Sequence, residues 1–134
     1  MVKLIKIEGI SPKYTKKLHK IGIHTTERLL LVAAHRQGRI DLAKETSIAQ
    51  KLILEWVNLA DLIRIKGIGE QYSNLLEEVG VDTVKELTKR RAHELYQAVV
   101  DLNLKNLLVR RLPAIKDIER WIRDAKRLTP MVKH

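Results

Sequence analysis

The sequence predicts an all-α protein made of two diverged copies of one glycine-hinged helical unit, each extended by further helices and packed as one compact chain. Three observations predict it. Helix formers (Leu, Lys, Glu, Ala and Arg) dominate the 134 residues, while phenylalanine is absent and only three prolines interrupt the chain. Apolar residues recur at helical spacing between glycine and proline breaks. Two stretches, Ile7 to Thr25 and Ile65 to Thr83, align without a gap at a constant offset of 58.

That alignment matches Ile7 with Ile65, Gly9 with Gly67, Ile10 with Ile68, Tyr14 with Tyr72, Leu18 with Leu76, Gly22 with Gly80, and Thr25 with Thr83. Conservative swaps fill the other apolar positions, a pattern that identifies an internal duplication. Trp56 and Ala60 stand four apart, as do Trp121 and Ala125, so each copy runs from a glycine bend to a Trp-bearing helix. The reading divides the chain into a first unit at 1–60 and a second at 61–134, the latter ending in a basic helix.

Each element has its own local reason. In the first copy Ser11 and Pro12 supply an N-cap and a first-turn proline. Leu18 and Ile21 face the core, Gly22 stops the helix, and Thr25 caps the next. Arg36, Gln37 and Gly38 are expected to break the chain before a short helix ending near Glu45, and Ser47 to cap a longer one carrying Leu52, Ile53, Trp56 and Val57. In the second copy Gly67, Ile68 and Gly69 form a tight bend, with Ile68 turned inward. Leu75, Leu76 and Val79 follow at helical spacing, Gly80 ends that helix, and Val81 packs against it. Thr83 with Glu86 reads as a capping box. A helix from Ala92 to about Arg110 is expected to kink near Asn103, and Pro113 to open the last one. There Ile115, Ile118, Ile122, Ala125 and Leu128 make one apolar stripe, stopped by Thr129 and Pro130.

Composition bounds the function. The formal net charge is +10, from 26 Lys and Arg against 16 Asp and Glu, a balance that favours polyanionic partners. It is unevenly spread: net +6 over 1–60, −3 over 61–88 and +7 over 89–134. With no cysteine there is neither a disulfide nor a thiolate metal site. No apolar run approaches the roughly 20 residues that span a bilayer. The expectation is a soluble, cytoplasmic chain with no membrane role. Histidines give no metal-ligand set: His19 and His24 fall on either side of the Gly22 break, and His35, His93 and His134 are isolated. No catalytic spacing, P-loop or dinucleotide fingerprint occurs. The chain is therefore expected to be no enzyme and to need no cofactor.

The pattern of an apolar residue, Gly-apolar-Gly, a small residue, a leucine and then Gly-apolar resembles helix-hairpin-helix proteins, which have a SAM-like fold. The second copy matches throughout, with Ile65, Gly67, Ile68, Gly69, Ser73, Leu76, Gly80 and Val81; the first has Gly9, Ile10 and then Ser11 in place of the second hairpin glycine. With Ile53 to Val57 and Val109 to Pro113, the whole chain resembles a small bacterial domain-of-unknown-function family built on this motif. The resemblance implies sequence-independent binding of nucleic acid, duplex DNA above all, with hairpin amides at a helix N-terminus holding a phosphate. Transferred to this sequence, the binding residues are Gly9, Ile10 and Ser11 with Lys13, Lys16, Lys17 and Lys20, and Gly67, Ile68 and Gly69 in the second copy. Glu70, Glu77 and Glu78 surround the second bend and would repel a phosphate, so a packed turn is the competing reading there. The lysine row likewise admits an ordinary solvated face. Tyr14, Tyr72, Trp56 and Trp121 read as packing residues. The other functional reading is a module that binds a protein partner or a second copy of itself.

Overall fold

A computed structural model of the chain describes residues 3, 4, 7 and 10–134. Among these residues the protein is all-helical: α1 (Pro12–Lys20), α2 (Thr26–Ala33), α3 (Arg36–Thr46), α4 (Gln50–Ile63), α5 (Glu70–Glu78), α6 (Val84–Leu87), α7 (Ala92–Lys105) and α8 (Ile115–Arg127). The chain divides into two compact units, Met1–Asp61 together with Met131–His134, and Leu62–Pro130.

Where both are described, the duplicated stretches share their main-chain turn bonds and their threonine caps. Ile10 N–H donates to the Ile7 carbonyl at 3.3 Å, and Ile68 N–H to that of Ile65 at 3.1 Å. At the far end of the following helix, Ile23 and Val81 donate back to Leu18 and Leu76 at 3.0 and 2.8 Å. Both turns pass through a glycine with left-handed backbone, Gly22 at φ +84° and Gly80 at φ +93°. Thr25 and Thr83 then cap the next helix, their Oγ1 atoms accepting from Arg28 N–H and Glu86 N–H at 3.1 and 3.2 Å. The capping box of α6 is only half made. Glu86 does not reach back to Thr83 but pairs with Arg90 at 3.1 Å, a charged partner that outcompetes a neutral amide.

In the first unit Leu18, Ile23, Leu29, Ile53, Trp56 and Val57 are buried. The break expected at Arg36–Gly38 lies instead at Ala34–His35, and those three residues form the first turn of α3. Gly38 serves close approach: a Cβ there would overlap the Val32 carbonyl oxygen at the end of α2. Ser47 does not start α4. It ends α3 in left-handed conformation at φ +61°, its amide donating to the Ala43 carbonyl. Ser11 stands at the N-cap of α1 with Pro12 behind it, yet its hydroxyl makes no cap bond. Thr15 Oγ1 donates to the Ser11 carbonyl at 3.0 Å.

The second unit has one core, in which Leu62, Ile65, Ile68, Leu75, Leu76, Val81, Leu95, Val99, Ile118 and Trp121 are buried. α7 ends at Lys105 rather than kinking onward. Asn103 is the reason. Its Oδ1 accepts from Leu108 and Val109 N–H at 2.9 and 3.1 Å, and its Nδ2 donates to the Val109 carbonyl at 3.1 Å, so one side chain fastens the loop that leaves the helix. Pro113 precedes α8, whose N-cap is Ala114; Asp117 accepts the Ala114 amide at 2.9 Å. The stripe of α8 is buried at Ile118, Ile122 and Ala125, as its spacing predicts.

Candidate nucleic-acid interface

The first bend leads straight into α1, a helix with no acidic residue. Lys13, Lys16 and Lys20 are exposed and Lys17 is half-buried. None of the four has a carboxylate within ion-pair distance among the described residues. Pro12, Thr15, Lys16, His19 and Lys20 line an open groove of about 460 Å³. The row is thus solvated, unpaired and continuous along one side of the helix.

The bend itself offers fewer donors than its residue types suggest. Gly9 lies outside the described residues. Ile10 is buried and its amide is engaged with the Ile7 carbonyl, because closing the turn requires that bond. Pro12 has no N–H. Ser11 is exposed, and its hydroxyl is not engaged as a cap.

The second bend differs from its sequence reading in charge. Ile68 is buried with its amide given to Ile65, while Gly67 and Gly69 are exposed. Glu70 and Glu77 are partly buried and Glu78 is exposed. A cation stands at the bend: Arg120 Nη2 lies 3.3 Å from where a Cβ on Gly67 would sit. Lys66, Gly67 and Arg120 line a pocket of about 410 Å³. Asp117 shares the charge of Arg120 at 3.3 Å. Beneath them Trp121 Nε1 is 3.1 Å from the same Cβ position, buried, and without a hydrogen-bond partner among the described residues.

From the sequence Arg120 enters only as part of the basic last helix, and Lys66 is not singled out. A signal existed in the repeat. Arg120 precedes Trp121 as Glu55 precedes Trp56, so aligning the tryptophans puts opposite charges at one position of the two copies. Tyr14 and Tyr72 pack against Trp56 and Trp121. His19 and His24, read as separated by the Gly22 break, come together with ring centroids 4.4 Å apart, since the left-handed turn folds the chain back. Among the described residues no group of three or more His, Asp or Glu side chains forms a metal-binding cluster. No helix among them is long and apolar enough to cross a membrane.

Comparison with known proteins finds no curated protein and no solved structure that matches the chain. A family does match, over residues 8–128, which takes in both glycine bends, both tryptophans and the apolar stripe of α8. On that match the chain belongs to the family described as Domain of unknown function (DUF4332).

Proposed function

We propose that each unit is a helix-hairpin-helix element and that the protein, in the cytoplasm, binds the backbone of duplex DNA without reading its sequence. The observation that carries this reading is the lysine row on α1, which follows a bend and meets no carboxylate among the described residues. Cations spaced along a helix attract phosphates through released counterions, which confers affinity without base discrimination. The second bend adds Lys66 and Arg120, offset by Asp117 and by Glu70 in the first turn of α5. Titrating labelled duplexes of unrelated sequence tests the reading: equal affinities support it, and no binding at low salt refutes it.

A second reading, a protein-interaction or self-assembly module, is favoured by Leu104 and Leu107, 81% and 77% exposed at the end of α7. Large apolar side chains held in water mark contact surfaces when they cluster. Light scattering across concentration separates the two readings, because a stable oligomer indifferent to DNA belongs only to the second.

A further inference from the structure

Arg39 is a buried cation with no carboxylate partner among the described residues. Only 4% of the residue is exposed. Its guanidinium donates to three neutral carbonyls: Nη1 to Ala33 and Ala34 at 3.0 and 2.9 Å, and Nη2 to Lys133 at 2.7 Å. These bonds close the end of α2, where unpaired carbonyls and the helix dipole offer partial negative charge. They also hold the segment Met131–His134, whose Lys133 amide donates to the Ala34 carbonyl at 2.8 Å. They use three of the five N–H donors of an arginine. Neither a further acceptor nor a carboxylate partner for it stands among the described residues.

Buried charges are ordinarily paired, and the three carbonyls that hold this guanidinium bring no net negative charge. The neighbours of Arg39 sharpen the imbalance. It lines a pocket of about 270 Å³ with Arg36, Gln50, Lys51, Leu54 and His134, and no Asp or Glu is among them. Lys51 stands in the first turn of α4, a 14-residue helix with no acidic side chain there, so the positive end of its dipole adds to the field. Burial lowers the Arg39 pKa from its ordinary value and the charge of Arg36 lowers it further, though an arginine remains charged at neutral pH.

We infer that Arg36, Arg39, Lys51 and Gln50 form a binding site for a phosphate-type oxyanion. The oxyanion supplies the missing counter-charge, accepts the spare donors of Arg39 and lies at the start of α4. The pocket is smaller than the roughly 300–1,000 Å³ of sites for drug-sized ligands, so a phosphate group enters while any larger remainder stays outside. The group comes either from a small phosphate-bearing molecule or from a nucleic-acid backbone. This site does not depend on the glycine bends, and it stands even if they bind nothing.

Isothermal titration of the full chain with sodium phosphate, at ionic strength matched by sodium chloride, tests the inference. Wild type is expected to bind one phosphate. The exposed pair Arg36→Gln and Lys51→Gln is expected to weaken it about tenfold or more with thermal stability in chloride unchanged. Arg28→Gln with Lys44→Gln removes equal charge elsewhere in the unit and is expected to leave phosphate binding intact. A duplex titration of the two variants separates the sources. A larger loss in the first variant assigns the site to backbone phosphate, and equal losses assign it to a small phosphate-bearing molecule. Absence of phosphate binding by wild type together with equal duplex losses overturns the inference, as does phosphate binding that both variants share with wild type.

Discussion

The ring of Tyr14 lies 5.2 Å from that of Trp56 with planes tilted by 55°, and Tyr72 meets Trp121 at 5.4 Å and 50°. The tyrosines are 58 residues apart and the tryptophans 65, so an insertion between them has left the contact unchanged. Each pair ties the helix after a glycine bend to the Trp-bearing helix of its own unit. Replacing Trp121 by alanine is expected to destabilise the second unit by about 3–5 kcal/mol. A double-mutant cycle with Tyr72→Ala should return a coupling of about 0.5–1.5 kcal/mol, measured by urea unfolding. Additive effects would mean that the tilted contact contributes nothing beyond buried area.

Gly38 and Gly69 give a matched comparison. A Cβ at Gly38 overlaps a backbone oxygen that cannot move aside, whereas at Gly69 nothing lies within 4 Å. Gly38→Ala should therefore cost about 1–3 kcal/mol despite the better helix propensity of alanine. Gly69→Ala, at an N-cap with extended backbone, should stay within about 1 kcal/mol. Thermal melts that rank the two in the opposite order would refute the close approach of α3 to the end of α2.

Asn103 fastens the loop after α7 through three hydrogen bonds. Asn103→Ala strips the buried Val109 of a partner for both its N–H and its carbonyl, and is expected to cost about 2 kcal/mol or more. Hydrogen exchange should quicken at the amides of Leu108 and Val109 before it does at Val99. Unchanged exchange there would show that the loop is held by something else.

What was legible in the sequence was local. The bend glycines, the threonine caps of α2 and α6 and the stripe of α8 depend on residues within a few positions of one another, and spacing reveals them. The misread elements depend on how one helix end meets the segment beside it, which spacing alone does not show. Gly38 looks like a breaker until α2 lies beside it, and Ser47 looks like a cap until α3 closes onto it. Asn103 looks like a kink in a helix, but its partners are in the loop beyond. Arg120 is the long-range case: 53 residues separate it from Gly67, and only the fold brings its guanidinium to the bend. Charge along the chain shows that α1 carries no acidic residue, but not that Arg120 stands beside Gly67.

The lysine row on α1 is tested most directly by salt. Duplex affinity should be measured at several salt concentrations for wild type and for Lys13→Glu with Lys16→Glu and Lys17→Glu. Log affinity of wild type should fall linearly with log salt, at about −0.9 per phosphate contacted. The triple variant should bind every sequence more weakly, with its slope shallower by about 1 for each lysine that touches a phosphate. Identical slopes and affinities for the two proteins would contradict the assignment of α1 as the surface that meets DNA.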